Sequence, residues 1–208
     1  TITLDLKTAE GQAVLERLIP TADALMHNFR PGVAERLGIG WDHVHSTNPR
    51  LVYVAIHAYG EDADAQWVSR PGYDLVMQAM GGAMSITGFP DTPPVRCAVP
   101  VADTHTALLA VQAVLFGLLQ REQTNRGQKI IINMMQAQAA ALTYYASRYD
   151  VTKEPELPRG NAHRGLVPYD VYRCSDGWLA IATGNDGIWQ RMRSALEIED
   201  RVEWRTNP

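Results

Sequence analysis

The sequence predicts an α/β fold: a Rossmann-like, largely parallel sheet flanked by helices, followed by the start of a second, smaller α+β domain. Three observations lead there. Short apolar, β-branched runs at residues 51–56 and 129–132 alternate with segments of helical period, the pattern of β-α-β units. The longest helical segment, following Asp103, is apolar on most faces, as a helix buried against a sheet should be. Composition then shifts at residues 151–163, a polar stretch holding Pro155, Pro158 and Gly160, which marks a linker. The expected units are residues 1–152, a linker and loop at 153–165, and a small domain beginning at 166 and running to 208.

Taken in order, residues 1–6 alternate as a strand does. Thr8 precedes a helix with Val14, Leu15, Leu18 and Ile19 on one face, ended by Pro20. Residues 24–26 suggest a short buried strand that opens into the loop Asn28-Phe29-Arg30. Pro31 suits the first turn of a helix, which Gly38 and Gly40 stop. A short helix at 42–46 leads to the buried strand at 51–56. Residues 61–69 form a polar loop, 73–80 a helix broken by Gly81-Gly82, and 87–94 a run of turns. The Asp103 helix is expected to reach about Arg121, before the strand at 129–132 and a helix at 136–149. In the small domain, strands at 169–173 and 178–182 pair across Cys174-Ser175-Asp176-Gly177.

Composition narrows the function. The 208 residues are 46% hydrophobic and 20% charged, with a net charge of −4. That argues against a nucleic-acid partner, which needs clustered Lys and Arg. Two cysteines, Cys97 and Cys174, make no disulfide framework, and a reducing, cytoplasmic setting is expected. Residues 107–119 are too short for a membrane span and hold Gln112 and Gly117, so no membrane partner is expected. His27, His43, His57, His105 and His163 show no ligand spacing, and no metal is expected. Neither the G-x-G-x-x-G fingerprint nor G-x-x-x-x-G-K is present, which leaves dinucleotide and P-loop sites without support. The chain opens at Thr1 and closes on Arg205-Thr206-Asn207-Pro208, which reads as mid-loop; an internal fragment of a longer protein is the expectation.

Asp103 is the candidate with the most chemistry. It lies at or next to the start of the apolar helix, after Val99-Pro100-Val101-Ala102. Burial would raise its pKa, and the free N–H groups of a helix N-terminus would lower it. If the helix prevails, Asp103 is an ionised, poorly hydrated oxygen nucleophile; the plainer reading is a helix cap worth about 0.5–2 kcal/mol. The two roles are compatible.

The run from Val99 to Asp103, the helix after it, and Arg121-Glu122-Gln123-Thr124-Asn125-Arg126-Gly127-Gln128-Lys129 resemble the core of the family III CoA-transferases. So, in the same order, do Thr3-Leu4-Asp5-Leu6-Lys7-Thr8, Asn28-Phe29-Arg30-Pro31-Gly32, Arg36-Leu37-Gly38, Asn48-Pro49-Arg50-Leu51-Val52-Tyr53 and Arg70-Pro71-Gly72-Tyr73-Asp74. Pro168-Tyr169-Asp170-Val171-Tyr172 and Asp176-Gly177-Trp178-Leu179-Ala180 extend the likeness over nearly the whole chain. The resemblance implies an enzyme moving CoA between an acyl-CoA and a free carboxylic acid, with Asp103 carrying first the acyl group and then CoA. It implies that coenzyme A is held by Leu4, Lys7, Asn28, Phe29, Arg30, Arg36, Arg70, Pro71, Gly72 and Tyr73, with no metal. It implies an interlocked homodimer, so that the isolated 208 residues would be inactive.

Asp74 matches a position where the family often holds an acid near the nucleophile. Residues 158–165 align with a mobile loop that is glycine-rich in formyl-CoA transferases; here Ala162-His163-Arg164 stand in that place, against formyl or oxalyl specificity and open to a grip on an acceptor carboxylate. The same fold supports α-methylacyl-CoA racemases, which use a Gly-His-Asp triplet. Here it is Gly72-Tyr73-Asp74, and a phenol, with an ordinary pKa of about 10, is a poor base at neutral pH. A catalytically inactive CoA-binding paralogue is the remaining alternative.

Overall fold

The computed structural model describes residues 1–205, so Thr206, Asn207 and Pro208, placed in a loop above, lie outside the described residues. The chain divides into two compact units: Thr1–Met84 with Arg96–Glu154, and Ser85–Val95 with the residues from Pro155 onward.

The first unit is an α/β layer built on three parallel strands, β1 (Ala24–His27), β2 (Val52–His57) and β3 (Lys129–Asn133), in the order β1-β2-β3. Register pairs Ala24 with Val52 and His57 with Asn133. Because the strands run parallel, His27, His57 and Asn133 finish at the same edge of the sheet. Helices cover both faces, as a parallel sheet requires. One face packs Leu51, Tyr53 and Ala55 against Ile19, Ala34, Ile39 and Val44. Ile19 comes from the 3₁₀ turn after α1 (Ala9–Leu18), Ala34 from α2 (Val33–Arg36), Val44 from α3 (Trp41–Thr47) and Ile39 from the link between α2 and α3; Leu15 of α1 packs beside them. Thr8 caps α1 by accepting a bond from the Gly11 N–H, and Pro20 falls in the 3₁₀ turn Ile19–Thr21.

The other face packs Val52 and Val54 against Ala110 and Ala113. Between β2 and β3 the chain forms α4 (Ala65–Val68), α5 (Asp74–Met80), α6 (Ala83–Ile86) and α7 (Val101–Thr124). α7 lies on the sheet through small residues: Ala102, Ala110, Ala113 and Gly117 are buried. A Cβ on Gly117 would sit 2.5 Å from a Val52 methyl, so the glycine allows helix and strand to approach closely. α8 (Met134–Ala140) and α9 (Tyr144–Thr152) follow β3.

Five expectations need correction. Residues 1–6 form no strand, since their backbone finds no ladder partner among the described residues. β1 is half-buried, with Met26 54% exposed. The loop at 61–69 contains α4. The helix at 136–149 is two helices, parted where Thr143 takes a left-handed φ of 50°. α7 is 24 residues long and its outer apolar face, Leu108, Val111, Leu115, Phe116 and Leu119, is exposed. By length and composition alone that helix could cross a bilayer, contrary to the reading from residues 107–119; here its small-residue face packs on β2.

The second unit holds the antiparallel pair β4 (Tyr169–Arg173) and β5 (Trp178–Ala182), in the register Tyr169 to Ala182, and α10 (Asp186–Ala195). Asn185 caps α10 from its side chain.

Candidate active site

At the edge where the three strands end, the first unit encloses a cavity of about 510 Å³. Ligands of α/β sheets bind beyond the carboxyl ends of strands, and this volume suits a small-molecule site. The loop after β1 contributes Asn28, Phe29, Arg30 and Pro31; the end of β2 and its loop contribute Ile56, His57 and Ala58. Val68, Arg70, Pro71, Gly72 and Tyr73 close one side, and Asp103, Thr106 and Ala107 of α7 with Met134 close another. Eight of the expected residues therefore meet around one space: Asp103, Asn28, Phe29, Arg30, Arg70, Pro71, Gly72 and Tyr73. Leu4, Lys7 and Arg36 do not line it. Their segments are tied together elsewhere by Gln12, whose Nε2 donates to the carbonyls of Leu6 (2.6 Å) and Leu37 (2.9 Å).

A buried relay holds the 28–30 loop. His27 Nδ1 accepts from the Phe29 N–H at 3.2 Å, which leaves the proton of a neutral ring on Nε2. That nitrogen lies 2.8 Å from the Tyr53 hydroxyl, which in turn donates to the Ile39 carbonyl at 2.8 Å. The Phe29 ring stacks on His27 with centroids 5.5 Å apart. Burial, then the neighbouring His57, pushes the His27 pKa down, and burial pushes the Tyr53 phenol up to about 12. Both groups are thus kept neutral, as a buried chain of hydrogen bonds requires.

The 70–73 loop is held differently. The Arg70 guanidinium lies 4.3 Å from the centre of the Trp67 ring, a cation–π contact that leaves its fork usable. Gly72 passes so close to β2 that a Cβ would come within 2.4 Å of the Ala58 Cβ.

Asp103 is the third residue of α7, and the helix begins at Val101 after Pro100, which supplies no side-chain cap. The cap comes from α5: Asp74 Oδ1 accepts from the Ala102 N–H at 2.9 Å and, more weakly, from that of Asp103 at 3.4 Å. The reading of Asp103 as its own helix's cap is therefore corrected. Its carboxyl is exposed in this chain rather than poorly hydrated. Partial burial, then the charge of Asp74, raises its pKa above the usual carboxylate value, so the lowering expected from the helix end does not prevail.

Thr106 is buried, bonded to the Ala102 carbonyl at 2.7 Å, and lines the cavity, whereas His105 is exposed and does not. Ligand spacing gives His57 no role, yet it lines the cavity, with Nδ1 buried and without a partner. Its pKa is lowered, chiefly by burial. The signal for it was its place at the end of a buried strand. In the second unit Arg164 and Arg159 pair with Glu156, so the Arg164 guanidinium is already engaged. Among the described residues no group of three His, Cys, Asp or Glu is arranged to hold a metal.

An α/β layer with a cavity at its strand ends, a carboxylate in the first turn of a long helix, and two guanidinium groups make up a candidate small-molecule site. The chain belongs to CoA-transferase family III, whose model matches residues 1–208. It is 36% identical over 197 residues to the succinate–glutarate CoA-transferase of Agrobacterium fabrum, covering 95% of this chain and 49% of the relative. It is 34% identical to the succinyl-CoA–D-citramalate CoA-transferase of Chloroflexus aurantiacus, covering 94% of this chain and 48% of the relative. Among solved structures, a CaiB/BaiF family protein from Brucella suis superposes with a TM-score of 0.87 at 33% identity, over 99% of this chain and 55% of that one. The chain spans about half the length of the curated relatives it matches.

Proposed function

We propose that this chain carries the acyl-CoA site of a CoA-transferase, and that Asp103 is the group which carries acyl and then CoA. The observation behind this is the gathering of Asp103 with Asn28, Phe29, Arg30, Arg70 and Tyr73 around one cavity. In the proposed cycle an Asp103 oxygen attacks the thioester carbonyl, the C–S bond breaks, and CoA leaves as thiolate. The mixed anhydride is then attacked at the aspartyl carbonyl by that thiolate, releasing the donor acid as carboxylate. The acceptor carboxylate attacks the aspartyl thioester in turn, and the thiolate moves to the acceptor's acyl carbon, which regenerates Asp103. Covalent division of the exchange avoids a single difficult step. Arg30 and Arg70 would bind phosphate or carboxylate oxygens, and the Phe29 ring would pack against the adenine.

Both carried forms of Asp103 are open to hydrolysis, so water must be excluded during turnover. The exposure of Asp103 and of the apolar face of α7 in this chain fits a site completed by further polypeptide, in keeping with an interlocked homodimer. Tyr73 in place of a histidine weighs against the racemase reading. In the complete gene product, Asp103→Ala is expected to lower transfer at least about a thousandfold, ~4 kcal/mol of barrier, with the fold unchanged by circular dichroism. A variant that keeps more than that fraction of activity refutes the assignment.

A further inference from the structure

The first turn of α7 depends on a carboxylate that the proposed chemistry does not use. We propose that Asp74, braced by Gln78, is a positioning residue for Asp103, anchoring its backbone and setting a second negative charge beside the reacting carboxylate. This rests on the reading of Asp103 as the acyl carrier. Free N–H groups at a helix start need acceptors, and Pro100 provides none from its side chain. Asp74 Oδ1 supplies one to Ala102 and Asp103, while its Oδ2 accepts from Gln78 Nε2 at 2.6 Å. Gln78 is 1% exposed and is itself fixed at Cys97: its Oε1 accepts from the Cys97 N–H at 2.9 Å, and its Nε2 lies 3.4 Å from the Cys97 carbonyl. Asp74 and Gln78 stand four residues apart on α5, on one face of the helix.

The result is a rigid chain of bonds from the segment before α7, through α5, to the backbone of the reacting residue. A like charge beside a carboxylate disfavours its ionised form, and the more basic oxygen is the better nucleophile. The other ionisable groups lining the cavity are Arg30, Arg70, Tyr73 and His57; Asp74 is the charge that acts on Asp103 alongside burial.

The test uses the complete gene product and two variants, with Asp103→Ala run in parallel. Asp74→Asn keeps an oxygen acceptor for the helix and removes the charge, and its amide nitrogen faces Gln78 Nε2 where an acceptor stood. In this variant the ¹³C titration of the Asp103 carboxyl, assigned by its loss in Asp103→Ala, should move to lower pH by roughly half a unit or more. The acid limb of kcat/KM should follow it. Gln78→Leu keeps the charge and removes the brace; kcat should fall on the order of ten- to a hundredfold with KM for acyl-CoA little changed, as for a misplaced reacting group. A purely structural cap predicts no shift in titration. If Asp103→Ala is inactive while Asp74→Asn titrates as the parent does, or Gln78→Leu keeps its kcat, the inference on Asp74 fails and the reading of Asp103 stands. Should Asp74→Asn not fold, Gln78→Leu alone decides the positioning. Asp103→Ala keeping more than about a thousandth of the parent activity instead overturns the carrier reading itself.

Discussion

Replacing Tyr53 by Phe removes one oxygen atom from the core and tests how the site is tied to the sheet. Tyr53 is 2% exposed, and its hydroxyl both meets His27 Nε2 and donates to the Ile39 carbonyl. Phe fills the same ring volume, so no large cavity opens. Two buried polar groups are left without a partner instead, each worth about 1–3 kcal/mol. Allowing for local relaxation, a loss of about 2–4 kcal/mol is expected. At about 2–4 °C per kcal/mol for a chain of this size, Tm should fall by roughly 4–16 °C. The second readout is functional. His27 holds the Phe29 N–H through Nδ1, so a released imidazole loosens the 28–30 loop. KM for acyl-CoA should then rise severalfold while kcat changes less. Thermal melting of the 208-residue chain and steady-state kinetics of the complete gene product, each as parent and variant, read both effects. An unchanged Tm, or a KM at the parent value despite lower stability, contradicts the coupling of relay to loop.

Two further outcomes follow from the packing and the titrations. Gly117→Ala gains about 1 kcal/mol of helix propensity but puts a methyl 2.5 Å from a Val52 side chain that is fully buried. Overpacking costs about 1–3 kcal/mol, so denaturant unfolding should show net destabilisation of up to about 2 kcal/mol; a stabilised variant would show that α7 can lift off β2 freely. His27 and His57 have pKa values below the free histidine value, so the unfolded chain binds more protons as pH falls below about 6.5. Their contribution to stability is complete above that pH and is lost as pH drops through it. His57→Asn should flatten this acid-side loss in melting curves between about pH 7 and 5, and an unaltered slope would place the titration elsewhere.

What the sequence disclosed, and what it hid, divides along physical lines. The run 51–56 declared itself because a parallel strand buried on both faces leaves no polar gaps, and β2 lies there; 129–132 was legible from its β-branched residues, although β3 is only half-buried. The 28–30 loop could be placed because it follows a strand end, whereas 70–73 was marked by its resemblance to the family motif and not by local pattern. The helix cap could not. A capping carboxylate 29 residues away in sequence has no local signature, so sequence alone points to the nearer Asp103. The outer face of α7 misled for a related reason: apolar residues show that burial is wanted, not that this chain supplies it. Residues 1–6 alternate without joining a sheet, since pattern alone does not provide a partner strand. His57 was overlooked because spacing for metal ligands was the wrong test; its position as the last residue of β2 was the informative one.

The central claim is that Asp103 becomes covalently activated during turnover. The most direct measurement is to incubate the complete gene product with an acyl-CoA, quench with hydroxylamine, and sequence the peptide containing Asp103 by mass spectrometry. A hydroxamate on Asp103, dependent on acyl-CoA, is the predicted result. Turnover under the same conditions with that carboxylate never modified would contradict the account.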